Sequence, residues 1–141
     1  MTSSSLSPFH AALLEFLMTA KQGLIAVGKE YDLTPIQAMT LALVDKDNPK
    51  PMNSFQKLYN CDASNITGII DGLEEKKLAL RGEHPEDRRV KTILLTDEGV
   101  VVQGRLIDSF TEIDHMILGN LTEAELASFK SIIIKLAVQN K

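Results

Sequence analysis

The chain reads as mainly α-helical with one small β-hairpin. Three observations predict this. Apolar residues recur at three- and four-residue spacings along most of the 141 residues. Capping residues stand where those runs begin, as in Thr34-Pro35, Asp62, Thr96 and Thr122. Two strand-like runs, Leu78 to Glu83 and Val90 to Leu95, flank a single charged, turn-forming segment, His84-Pro85-Glu86-Asp87-Arg88-Arg89.

The first helix spans residues 7–30. Phe9, Leu13, Phe16, Leu17, Ala20, Leu24 and Val27 fall on one of its faces. Thr34 caps the second helix and Pro35 occupies its first turn, where a missing N–H costs nothing. That helix runs through Ile36, Met39, Leu43 and Val44, and Pro49 and Pro51 prevent its continuation. A short third helix, Asn53 to Tyr59, buries Phe55 and Tyr59, and Asn60 closes it in the left-handed conformation.

Asp62 caps a fourth helix, Ala63 to Lys77, whose inward stripe is Ile66, Ile69, Ile70 and Leu73. Its outward face is then Ser64, Gly68, Asp71 and Glu75, flanked by Asn65, Thr67 and Gly72. After the hairpin, Thr96-Asp97-Glu98 opens a fifth helix with acids suited to its positive N-terminus. Leu106, Phe110, Ile113 and Ile117 form its seam, and Gly119-Asn120 breaks it. The capping box Thr122 to Glu125 starts a last helix expected to bury Leu126, Phe129, Ile132, Ile133 and Leu136.

A helix followed by an Arg-tipped hairpin is the arrangement with which a winged helix-turn-helix holds DNA. The helix enters the major groove and the tip the adjacent minor groove. Candidate DNA-binding residues are therefore Ser64, Asn65, Thr67 and Gly68 on the helix, with Arg88, Arg89 and Lys91 on the wing. Asn pairs well with adenine, and Thr can touch a thymine methyl. The plainer alternative makes the three polar helix residues solvated surface, with Ser64 assisting the cap. It makes Arg88 and Arg89 a rigid turn braced by Asp87.

Composition narrows the class. Apolar residues are 44% of the chain, ample for a core, and without Trp the packing is mostly aliphatic. Length fits one domain, 1–141, with a winged block at 33–96 and helical regions at 7–30 and 97–139. The terminal helices carry more apolar surface than that block can cover, which predicts pairing with a second chain. No secretory start is evident, Glu15 and Lys21 interrupt the first apolar run, and the expectation is a cytoplasmic protein without a membrane span. Net charge is −4, but residues 50–91 carry +1 and the remainder −5, so the middle is the least acidic part.

Other chemistry is sparse. Cys61, the single cysteine, excludes an intramolecular disulfide and reads as a small buried hydrophobe; Lys57 is its one weak candidate activator. His10, His84 and His115 are scattered without metal-ligand spacing, so neither a metal nor a cofactor is expected. No catalytic motif is found, and an enzyme is not expected. A ligand pocket between the first helix and the block would draw on Phe9, Phe16, Met39 or Phe110, residues that read equally well as core.

The stretch from Leu33 to Leu106 resembles the multiple antibiotic resistance regulator (MarR) family of winged-helix transcription factors. LTPIQAMTLALV is similar to the family's second helix, and DASNITGIIDGLEEKKLALR to its recognition helix and first wing strand. In EDRRVKTILLTDEG, Asp87, Arg89, Leu95 and Thr96 fill the family's wing signature of Asp, any residue, Arg, then Leu-Thr before the next helix. The resemblance implies a homodimer joined by the first, fifth and sixth helices on a pseudo-palindromic operator, half-sites one helical turn apart. It also implies a repressor released by a small aromatic ligand or an oxidant. The chain departs from the family where Ala63, Gly68 or Gly72 stands in place of arginine, and where Asp71 and Glu75 would face phosphate. Either Ser64, Asn65 and Thr67 read the groove with close backbone approach at Gly68, or the fold serves as a protein-interaction module with weak or no DNA binding.

Overall fold

A computed structural model describes residues 5–139. Among them run α1 (Pro8–Glu30), α2 (Pro35–Leu43), α3 (Met52–Tyr59), α4 (Ala63–Glu75), β1 (Ala79–Glu83), β2 (Lys91–Leu95), α5 (Asp97–Leu118) and α6 (Glu123–Gln139). The ends of the expected 1–141 domain, residues 1–4 and 140–141, lie outside the described residues.

The helix starts follow the capping chemistry. Thr34 Oγ1 accepts from the Gln37 amide at 3.2 Å while Gln37 Oε1 accepts from the Thr34 amide at 3.1 Å, a closed capping box. Asp62 accepts from the Asn65 amide at 2.9 Å, Thr96 from the Gly99 amide at 2.9 Å, and Thr122 and Glu125 form a second box. Ser7 caps α1 by the same means, accepting from the His10 amide at 3.2 Å.

α4 ends two residues earlier than expected. Lys77 takes the left-handed conformation at φ 60°, its amide donates to Glu74 O, and the Leu78 amide reaches back to Leu73 O at 3.0 Å. This is a Schellman closure, which satisfies the last carbonyls and re-aims the chain into β1. Leu78 therefore belongs to the helix end and not to the strand. Val90 is likewise taken by the turn, its amide donating to Asp87 O at 3.0 Å. The hairpin pairs antiparallel from Ala79 opposite Leu95 to Glu83 opposite Lys91, and Pro51 adds an isolated bridge to Thr92.

The core sits inside the winged block. Leu41, Ile66, Ile70, Leu73 and Ile93 are fully buried, joined by Val27 from α1 and Leu106 from α5. α2 presents a different face from the one expected: Ala38, Thr40 and Leu41 point inward, while Leu43 is exposed and Ile36 and Met39 are half-buried. A threonine can occupy that face because its hydroxyl donates to Ile36 O at 2.7 Å and so accepts from the Tyr59 hydroxyl at 2.7 Å. Tyr59 is correspondingly only half-buried.

Two devices tie α5 to the block. Gln103 Nε2 donates to the carbonyls of Leu41 and Val44 at 3.0 and 2.7 Å, serving the open C-terminus of α2. Gly99 lies so close to Leu78 O that any Cβ would collide with that backbone oxygen, so only glycine lets the helix start there.

α6 and the N-terminal part of α1 are largely uncovered within one chain. Along α1 the stripe is mostly open: Phe9, Leu13 and Leu17 are exposed, Phe16 and Leu24 half-buried, and only Val27 and Gly28 buried. α6 meets the rest of the chain through an edge-to-face contact of Phe129 with Phe16 at 5.8 Å. The expected burial of Ile132, Ile133 and Leu136 does not occur within one chain; all three are exposed. α1 is long and apolar enough to cross a bilayer by length and composition alone, but Glu15 and Lys21 interrupt it and it packs on α2 and α5.

Candidate nucleic-acid interface

α4 carries its polar residues on the side away from the core, because Ile66, Ile70 and Leu73 pin the opposite side. Ser64, Asn65, Thr67 and Gly68 are all exposed. Ser64 is partly committed to the cap, donating to Asp62 Oδ1 at 2.7 Å. A Cβ at Gly68 would meet nothing within 4 Å, so its backbone is open to close approach. Gly72 turns instead toward Gln37 of α2, the nearest side chain to any Cβ placed there. The Asn65 and Ser64 bonds hold the Asp62 carboxyl below the usual carboxylate range.

The wing is a braced turn with free charge. Asp87 accepts from Arg89 Nε and Nη2, both at 3.1 Å, and from the Arg89 amide at 3.0 Å. The Arg89 guanidinium, then its amide, hold the Asp87 carboxyl below the usual range. His84 Nδ1 accepts from the Glu86 amide at 3.2 Å, so His84 is a turn residue. Among the described residues Arg88 comes within ion-pair distance of Glu83 alone, at 4.0 Å, and Lys91 lies 3.7 Å from the same carboxylate. Both arginine side chains are 91% exposed, which leaves their remaining donors available.

Between α3, α4 and the wing lies an open recess of about 510 Å³. Thr67, Arg89 and Lys91 are brought together on its walls, and Asn53, Gln56 and Arg81 join them. Its charged lining consists of three cations and no carboxylate. Asn53, Gln56 and Arg81 were not anticipated from the sequence. A signal for Arg81 did exist: it stands two residues after buried Ala79 and opposite buried Ile93, hence on the inward strand face.

Arg81 answers the question raised by the acids of α4. Its Nη1 donates to Glu74 Oε2 at 2.5 Å, its Nη2 to Asp71 Oδ1 at 2.6 Å and to Thr67 O at 3.4 Å, and its amide to Glu74 Oε1 at 3.1 Å. Asp71, then Glu74, raise the guanidinium pKa above its ordinary value, so the cation is permanent. Only Glu75 is left exposed without an ion pair on that face, among the described residues.

The remaining candidates are not gathered into a site. Phe9 stacks edge-on against His10, Phe16 against Phe129, and Phe110 packs on the core. Cys61 is half-buried against that core. Among the described residues no group of three or more His, Cys, Asp or Glu is placed to hold a metal ion.

The family model described as MarR family matches residues 33–91, from just before α2 through the wing to the first residue of β2. YpoP, an HTH-type transcriptional regulator of Bacillus subtilis (strain 168), is 31% identical over 107 residues, covering 76% of this chain and 76% of YpoP. The HTH-type transcriptional repressor MdtR of the same organism is 31% identical over 109 residues, covering 77% of this chain and 70% of MdtR. A mutant MarR from E. coli, solved in complex with operator DNA, shares the fold with a TM-score of 0.72 at 19% identity, over 92% of this chain and 93% of that one. The chain belongs to the MarR family and is a DNA-binding transcriptional regulator with a winged helix-turn-helix fold.

Proposed function

We propose that the protein is a homodimeric repressor that seats α4 in the major groove and the wing tip in the neighbouring minor groove of a pseudo-palindromic operator. In this reading residues 33–96 hold DNA, and residues 7–30 and 97–139 join two chains. The recess, walled by Thr67 of α4 and by Arg89 and Lys91 of the wing with no carboxylate in its lining, carries the reading. A duplex gripped in two adjacent grooves must pass one phosphate strand between them, and the recess lies between α4 and the wing. Ser64, Asn65, Thr67 and Gly68 then approach bases or phosphates, while Arg88, Arg89 and Lys91 supply most of the positive charge.

The exposed apolar faces of α1 and α6 support the dimer, since two chains related by a twofold axis would cover them. Repression is supported by MdtR, described as a repressor. Release by a small aromatic ligand or an oxidant, and action in the cytoplasm where the operator lies, complete the reading. The interaction-module alternative rested on acids facing the groove. Arg81 pairs with Asp71, and with Glu74 beside it, so that of the two acids in question only Glu75 stays uncompensated.

The test is selection of genomic fragments by the purified protein, followed by gel-shift titration of the wild type and an Arg88→Ala/Arg89→Ala variant. A symmetric consensus is expected. Loss of two groove contacts at about 1–3 kcal/mol each should weaken specific binding by about thirtyfold to roughly ten-thousandfold or more. Wild-type affinity should fall with salt, at a log–log slope of about −0.9 per phosphate neutralised. Undetectable or salt-insensitive binding would overturn the reading.

A further inference from the structure

We infer that Arg81 is a positioning residue of DNA binding, acting through α4 by cancelling Asp71 and Glu74 and not by contact with DNA. The inference rests on the reading that α4 enters the major groove.

Arg81 spans α4 from Thr67 O to the Glu74 carboxylate, holding positions i, i+4 and i+7 of one helical face. Three of its bonds go to carboxylate oxygens, and Glu74 is gripped by both side chain and amide. The guanidinium fork suits this double engagement, where a lysine would offer a single point charge. Two results follow from the one clamp. The acids on a face directed at phosphate are neutralised locally, and the helix is fixed in angle to the strand that leads into the wing. Arg88 differs, since its one acidic neighbour is 4.0 Å away and its donors remain available.

The experiment compares operator affinity across four proteins: wild type, Arg81→Met, Asp71→Asn/Glu74→Gln, and the triple variant. Arg81→Met should bind on the order of 10- to 100-fold more weakly at low salt, with the defect shrinking as salt screens the exposed acids. Neutralising both acids in that background should return affinity to within about threefold of wild type, because the repulsion is removed. Neutralising them with Arg81 intact should tighten binding by about threefold or more, since a cation is left facing phosphate.

That last protein keeps the inference testable where Arg81→Met fails to fold. A triple variant that stays weak would make Arg81 a direct phosphate contact and overturn the inference. A salt-independent defect would make the clamp purely structural and overturn it too, as would weaker binding when the acids alone are neutralised. In each of these cases wild-type binding and the effect of the wing variant stand unchanged. Failure of the wild type to bind any fragment would overturn both readings together.

Discussion

The winged block and the terminal helices use the same kinds of residue to opposite ends. In the block, Leu41, Ile66, Ile70, Leu73 and Ile93 are sealed by one another within a single chain. Along α1 and α6, Leu13, Leu17, Ile132 and Ile133 occupy equally regular helical positions and remain open to solvent. Periodicity says which face of a helix is apolar. It does not say whether that face is covered by the same chain or by another.

The block should respond to mutation as a self-contained core. Ile70 is fully buried, and Ile70→Ala is expected to remove about 2–5 kcal/mol per chain through lost transfer energy and a residual cavity. The urea midpoint should fall by the same amount at high and low protein concentration. A shift that depended on concentration would place Ile70 at a subunit contact.

The terminal helices should behave in the opposite way. Leu17 and Ile132 are 52% and 55% exposed, so roughly half of each side chain's 1.5–3 kcal/mol of burial energy remains to be gained. Changing both to Glu removes four such side chains per dimer, about 4 kcal/mol, or roughly a thousandfold in dimer dissociation constant. Sedimentation should give a monomer, and the dependence of Tm on protein concentration should disappear while the block stays folded. An unchanged dimer would show that this face serves something other than self-association.

The junction of the two regions is more modest. Thr96 donates to Lys77 O at 2.6 Å and accepts from the Gly99 amide, so one hydroxyl closes the hairpin and opens α5. Thr96→Ala should cost about 1–2 kcal/mol, the usual value of an N-cap. Thermal unfolding would check it, and Thr96→Ser should recover most of the loss by keeping the hydroxyl.

What could be read from the sequence follows the same division. Every cap among Thr34, Asp62, Thr96 and Thr122 was legible because an N-cap is a local bond, settled within three residues. The wing was legible because D-R-R beside a proline has few other solutions. The inward face of α2 was not, since Thr40 counts as polar until Tyr59, nineteen residues on, supplies its partner. The early end of α4 was missed because a lysine rarely takes the left-handed conformation, which the Schellman closure from the Leu78 amide onto Leu73 O requires of Lys77. Arg81 was missed for a related reason: its acids lie seven and ten residues away on another element, a pairing that spacing rules for a single helix do not cover.

The smallest effect expected is one of pH, within the block. Asp62 and Asp87 are both held below the ordinary carboxylate value of 3.8, by the Asn65 amide in one case and Arg89 in the other. For a depressed carboxylate the sign is fixed: the stabilisation is fully present above the ordinary value and is lost as pH falls through the lower folded one. Between about pH 5 and 8 neither group titrates, so neither contributes any pH dependence there. Below that range the cap of α4 and the brace of the wing should loosen. The Asn65 and Arg89 backbone amides, followed by NMR, should report it. Asp87→Asn should abolish the Arg89 transition and leave that of Asn65 in place. An Arg89 amide that still titrated in that variant would assign the brace to a different acid.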